Sequence, residues 1–188
     1  MEQLRLFIAV EIPEDVRTRL AEIEKQLMAS GADVKWVPEG NFHATLKFLG
    51  NVESDRAEAI SRAIESAVQE VPGFDVCLAG VGAFPNTRRP NVVWVGMTSG
   101  ADEMKALAEK VDRAMEPLGF AREARPFSSH ITVGRSRTPK NADKLRELIE
   151  RLRDEVAGLF QVSSVSVVKS DLRPAGPIYM RIADLKLK

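Results

Sequence analysis

One four-residue pattern occurs twice in this chain, as His43-Ala44-Thr45-Leu46 and, 87 positions later, as His130-Ile131-Thr132-Val133. These are its only two histidines. With six threonines among 188 residues, the chance that both histidines have one two places downstream is about one in a thousand. The pattern constrains the fold because it makes chemical sense on one kind of backbone. On a β-strand successive side chains point to opposite faces, so His and Thr share one face while the second and fourth residues line the other. Ala44, Leu46 and Phe48 then form an apolar face behind His43 and Thr45, and Ile131 with Val133 backs His130 and Thr132. Two such strands facing each other frame a small polar cleft.

The remaining periodicities surround those strands with further strands and amphipathic helices. Leu4, Leu6, Ile8 and Val10 alternate with Arg5, Phe7, Ala9 and Glu11, the mark of a half-buried strand. Phe7, an aromatic on the polar face, suits either a stacking platform for a base or a filler beneath a neighbouring element. Pro13-Glu14-Asp15 opens a helix with Val16, Leu20, Ile23 and Leu27 on one face, stopped at Gly31. A short strand over 34–37 precedes the first motif strand, in which Lys47 shares the face of His43 and Thr45 and either adds positive charge near an anion or, the preferred reading, sits at the solvated end of the strand. Gly50-Asn51 breaks that strand, and Ser54 caps a second helix carrying Ala57, Ile60, Ile64 and Val68. Extended stretches over 74–84 and 91–97 flank a turn-rich connection containing Arg88 and Arg89, which either reach a phosphate or solubilise a sheet edge. Ser99 opens a third helix with Met104, Leu107, Val111 and Met115, stopped at Gly119. After the second motif strand, a fourth helix (Leu145, Leu148, Ile149, Leu152) runs to about 156. Strands over about 160–169 and 178–187 follow, joined by a turn at Pro174-Ala175-Gly176-Pro177.

Read coarsely this is β-α-β-α-β followed by β-α-β-α-β-β, with one motif strand in the middle of each half, the order of an internal duplication. The expected class is α+β, a single bilobal unit over residues 1–188 with two antiparallel sheets facing a central cleft and helices outside. No linker rich in Pro, Gly or Ser divides the halves. The lone Cys77 forms no intrachain disulfide and reads as a buried thiol. The opening stretch is too short and too soon acidic for a signal peptide and no segment approaches a membrane span, so a cytoplasmic protein is expected; the separate expectation for its assembly is a monomer. Net charge is zero, yet residues 121–188 carry 14 Lys and Arg against 8 Asp and Glu, an imbalance that could form a basic flank for an anionic ligand.

Histidine holds or releases a proton near neutrality. Two across a cleft can serve as general base and general acid in one turnover, which suits displacement at a phosphodiester. Each threonine hydroxyl can donate to a non-bridging phosphate oxygen. A zinc site wants three or four ligands and a His-Glu-x-x-His or similar spacing, which is not found, and neither is a Gly-x-Ser-x-Gly elbow or a phosphate loop. No metal or cofactor is expected. Arg135 lies five residues past His130, so strict alternation puts it on the opposite face, as an exposed strand-end arginine. A bulge at Gly134 would instead swing it toward the cleft, where it could grip phosphate.

These residues resemble a known family. The paired motifs, the opening Arg5-Leu6-Phe7-Ile8-Ala9-Val10, the run from Trp36 to Gly50 and the segment Arg89-Pro90-Asn91-Val92-Val93-Trp94-Val95-Gly96 are similar to the RNA 2′,3′-cyclic phosphodiesterases of the 2H phosphoesterase superfamily, also called the 2′-5′ RNA ligase family. The resemblance extends through Tyr179. It implies a bilobal fold with the active site between lobes, hydrolysis of RNA or nucleotide 2′,3′-cyclic phosphates to 2′-phosphates, and the joining of RNA ends through a 2′-5′ linkage. It further implies His43 as proton donor to the 3′ oxygen, His130 as the base that activates water, Thr45 and Thr132 as phosphate-binding hydroxyls, Arg135 as a basic substrate-binding residue and Phe7 as a base-stacking one. Ser129 departs from the proline that often precedes the second histidine, which implies a looser loop there. Two further readings stand beside this one: a binding module for nucleotides or RNA ends without turnover, and an enzyme for another cyclic phosphate such as a small nucleotide.

Overall fold

The computed structural model describes residues 2–174 and 176–188. The strands expected from alternation form: β1 Gln3–Glu11, β2 Val34–Trp36, β3 His43–Glu53, β4 Phe74–Asn86, β5 Arg89–Ser99, β6 His130–Ser136, β7 Val156–Val162, β8 Ser164–Arg173 and β9 Gly176–Lys186. Four helices accompany them: α1 Glu14–Met28, α2 Ala57–Val68, α3 Ala101–Met115 and α4 Ala142–Arg151. Each buries the stripe its sequence spacing marks out, Val16, Leu20, Ile23 and Leu27 for α1 and Ile60, Ile64 and Val68 for α2.

Two antiparallel sheets result, one in the order β3-β1-β8-β9 and one in the order β2-β6-β5-β4-β7. The chain does not fold half by half. β2, from the first half, pairs with the motif strand β6, while β8 and β9, from the end of the chain, complete the sheet of β1 and β3. Helix α1 likewise packs on β7 of the five-stranded sheet, and α3 touches strands of both sheets. This exchange leaves no seam, and one continuous core runs from Leu6 and Ile8 to Val133, Ile149 and Val167.

Several local expectations are corrected. β3 does not break at Gly50-Asn51. Gly50 takes a left-handed φ of 71° opposite Leu6, a conformation cheap only for glycine, and the strand continues to Glu53. Ser54 begins a 3-10 turn, not a capped helix, and Gly100, not Ser99, precedes α3. Helix α4 stops at Arg151, because Val156 is already in β7, so the last region holds three strands instead of two. The turn expected at 174–177 includes Ala175, outside the described residues. Cys77 is half-buried and unpaired.

The most consequential correction concerns Lys47 and Phe48. Along β1, Ala9 lies opposite Thr45 but Ile8 lies opposite Lys47, so Leu46 is an extra residue and β3 bulges there. The bulge exchanges the two faces. Lys47 turns inward and is 3% exposed, whereas Phe48 emerges on the side of His43 and Thr45 at 61% exposed.

Candidate active site

The second motif strand carries the same irregularity. Trp94 of β5 lies opposite Thr132 and Val93 opposite Gly134, so Val133 is the extra residue, one past the threonine as Leu46 is in β3. Trp94 and Val92 are two apart on one face of β5, and Val92 lies opposite Arg135. Arg135 is thereby on the face of Thr132. The swing expected from a bulge occurs, with Val133 and not Gly134 as the inserted residue. The two strands now match position by position: His43 with His130, Thr45 with Thr132, Lys47 with Gly134 and Phe48 with Arg135. Gly134 faces inward where a Cβ would stand 2.6 Å from Val34 and 2.8 Å from Trp36, so β2 can approach β6 only over a glycine.

β3 and β6 approach each other where the sheets meet. Between them lies a cleft of about 640 Å³ lined by Thr45, Phe48, His130, Thr132 and Arg135, with Arg125, Phe127 and Ser128 of the loop before β6 on its rim. A volume of this size suits a nucleotide-sized ligand. His43, two residues from Thr45 on the same strand face, opens on a recess of about 260 Å³ with Phe7, Asn41, Tyr179 and Arg181. Thr45, His130, Thr132 and Arg135 therefore share one cavity, and His43 stands in the recess beside it.

Each imidazole is fixed in the same way. His43 Nδ1 lies 2.7 Å from the Asn41 carbonyl and His130 Nδ1 lies 2.7 Å from the Ser128 carbonyl, in both cases the residue two before. A carbonyl only accepts, so Nδ1–H donates and Nε2 is left to exchange a proton. An aromatic ring backs each: Phe7 at 4.7 Å and Tyr179 at 5.2 Å from His43, Phe84 at 5.0 Å from His130. Burial lowers the His43 pKa from 6.5 against the opposing pull of the Asn41 carbonyl. Burial also lowers that of His130, opposed by the Ser128 carbonyl and reinforced by the positive charge of Arg135. The same guanidinium acts on Tyr179, whose pKa burial raises and Arg135 and Arg5 bring down.

Phe7 does not offer a free face. Its ring is 3% exposed, wedged among His43, Phe48, Tyr179 and Val168, so a base cannot lie flat on it and it buttresses His43 instead. An exposed aromatic on the cleft is Phe48. Alternation concealed this, and the signal was the alignment of the two motif copies, which extends a bulge considered in one to the other.

The inward Lys47 is tied down. Its ammonium lies 2.5 Å from Asp112 Oδ1 and 2.8 Å from the Ala121 carbonyl. Asp112 also accepts from Arg122 Nε at 2.6 Å and from the Glu123 amide. Burial alone would raise the Asp112 pKa, and the hydrogen bonds from Lys47 and Arg122 outweigh it and hold it below 3.8. The network fastens the 121–123 segment, and with it the loop on the cleft rim, to the strand that bears His43 and Thr45. Ser129, expected to loosen that loop, donates from its hydroxyl to the Ala101 carbonyl at 3.0 Å. Among the described residues, no three His, Cys, Asp or Glu side chains gather as metal ligands, and no helix is long and apolar enough to cross a membrane.

Comparison with known proteins places this arrangement. A family model described as LigT-like phosphoesterase matches the chain twice, over residues 10–94 and 95–179, so each copy contains one motif. An RNA 2′,3′-cyclic phosphodiesterase of Methanothermobacter thermautotrophicus is 37% identical over 94% of this chain and 95% of its own length. One of Thermotoga maritima is 34% identical over 94% and 91%. Among solved structures, a Thermus thermophilus protein superposes with a TM-score of 0.81 at 28% identity over 98% of each chain. Escherichia coli LigT complexed with 3′-AMP shares the fold, with a TM-score of 0.80 at 23% identity over 100% of this chain and 99% of its own.

Proposed function

The chain belongs to the LigT-like phosphoesterase family, and on that premise we propose that it hydrolyses RNA 2′,3′-cyclic phosphate ends to 2′-phosphates by two-histidine acid-base catalysis. Near-full-length similarity to proteins of that activity supports the reaction class. The observation that carries the mechanism is the matched pair of imidazoles, each with Nδ1–H donated to the carbonyl two residues before and Nε2 left to work.

The cyclic phosphate sits between Thr45, Thr132 and Arg135, whose donors match the charge that builds on its non-bridging oxygens. His130 Nε2 takes a proton from water as the water oxygen bonds to phosphorus. The P–O3′ bond breaks, and His43 Nε2 delivers its proton to the departing 3′ oxygen. The phosphate stays on O2′. His130 ends protonated and His43 neutral, and exchange with solvent resets both. A 5′-hydroxyl in place of water gives a 2′-5′ phosphodiester by the same proton movements, so ligation is the same chemistry with another nucleophile. Both proton transfers are supplied by side chains, so the reading asks for no metal.

The test is product analysis in EDTA with an oligonucleotide ending in a 2′,3′-cyclic phosphate. A 2′-phosphate is expected as the sole product. A 3′-phosphate, or turnover that requires an added divalent ion, would sink this reading.

A further inference from the structure

The cleft accounts for the cyclic phosphate, and an RNA chain ending in that phosphate extends beyond it. At the far end of β6 a second pocket, of about 310 Å³, is lined by Arg88 and Arg89 of the β4–β5 hairpin, by Arg137, Thr138 and Lys140 beyond β6, and by the start of α4. Four cationic side chains converge there, and none of the described residues lining the pocket is acidic. In a chain of zero net charge such a concentration is not inherited from overall basicity. Of the four, Arg137 has a carboxylate partner, Asp33 at 4.0 Å.

The backbone beneath these charges is pinned. Asn86 Oδ1 accepts the amides of both Arg88 and Arg89, at 3.0 and 3.1 Å. Ser136 Oγ donates to the Pro90 carbonyl, tying the hairpin to the end of β6. The pocket adjoins the active site along the chain. Arg137 follows Arg135 by two residues, about 7 Å along an extended chain.

Resting on the phosphodiesterase reading, we propose that this pocket holds backbone phosphates of the RNA whose cyclic end occupies the cleft. Guanidinium forks and an ammonium suit phosphodiester monoanions, and contacts of this kind position a strand without reading its sequence. The enzyme is then a polymer-end enzyme, and a cyclic mononucleotide uses only part of its binding surface.

The experiment compares an oligonucleotide ending in a 2′,3′-cyclic phosphate with a 2′,3′-cyclic mononucleotide, for the native protein and for Arg88→Glu/Arg89→Glu and Lys140→Glu. The expected result is a loss of about tenfold or more in kcat/KM for the oligonucleotide with the mononucleotide unchanged. The log-log salt dependence should also become shallower, by about 0.7 for each backbone phosphate the variant no longer neutralises. Equal effects on the two substrates, or none on either, would overturn the proposal. Unchanged mononucleotide turnover also certifies the fold. A parallel arm measures binding of a labelled oligonucleotide with a 2′-phosphate end by fluorescence anisotropy, which needs no turnover. If the native protein hydrolyses neither substrate, the phosphodiesterase reading fails, while this arm still decides the pocket. Weaker binding by the variants supports it, and equal binding, or inorganic phosphate competing as well as RNA, refutes it.

Discussion

The two histidines differ from free imidazole in one shared way: each is half-buried, and the partial loss of solvent disfavours the charged ring. Catalysis needs one of them charged and the other neutral. The pH profile of kcat/KM reports the free enzyme, so its maximum is expected on the acid side of about 6.5, falling above it as the acid loses its proton. The bound phosphate anion favours an imidazolium, so the kcat profile should lie at higher pH than that of kcat/KM. Measuring both profiles with one cyclic substrate checks this, and a kcat/KM maximum at pH 8 or above would contradict the assignment. The motif residues themselves were legible in the sequence, because His and Thr at a spacing of two share a face on any strand. The positions after them were not. Lys47 and Phe48 follow a period of two on paper, and a single inserted residue, Leu46, reverses their faces.

At the scale of elements, the bulged motif strands do two jobs at once. Each presents one further side chain to the cleft, Phe48 in one lobe and Arg135 in the other, and each sends the preceding residue inward. In β6 that residue is a glycine that admits β2. In β3 it is Lys47, paired with Asp112 at 2.5 Å away from water. Lys47→Met takes from the buried Asp112 one of its two cationic partners and leaves it Arg122 and the Glu123 amide, so it is expected to destabilise by about 3 kcal/mol, while Lys47→Met with Asp112→Leu should recover part of the loss. Denaturant unfolding of the set decides it, and a single variant as stable as the native protein would count against the anchoring role. Glu24 of α1 is a second buried charge, accepting the Val37 amide at 3.0 Å on the approach to the first motif. Burial, together with the nearby Glu39 and against the Val37 hydrogen bond, pushes its pKa up to about 7. Between pH 4.5 and about 7 the folded protein therefore holds a proton that the unfolded chain has lost. Stability should fall as pH rises through that window, by up to about 3 kcal/mol, and be level above it. Glu24→Gln should flatten the fall, seen as a smaller difference in Tm between pH 5 and pH 8. The same difference in both proteins would show that another group is responsible.

The whole molecule reads as a duplication whose halves have exchanged strands. Element order disclosed the duplication, because local periodicity is written in the sequence and each half repeats it. The exchange was not legible, since pairing β2 with β6 or β8 with β1 joins residues about a hundred or more positions apart, and nothing in a short window selects a distant partner. The consequence is mechanical. Each lobe is finished by strands from the other half of the chain, so the two motif strands are held against one another by the continuous core and not by a hinge. The acidic first part and basic last part of the chain likewise do not map onto lobes. Arg88 and Arg89 from one side join Arg137 and Lys140 from the other around a single pocket.

The claim on which the rest depends is that His43 and His130 divide acid and base between them. It is tested most directly by single-turnover hydrolysis, in EDTA, of an oligonucleotide ending in a 2′,3′-cyclic phosphate, comparing the native protein with His43→Ala, His130→Ala and the double variant. Each single substitution is expected to slow the chemical step by about 10²- to 10⁴-fold. Because the two act in one concerted proton movement, the double variant should be little slower than either single one. A folded His43→Ala or His130→Ala protein that turns over at near the native rate would contradict the mechanism.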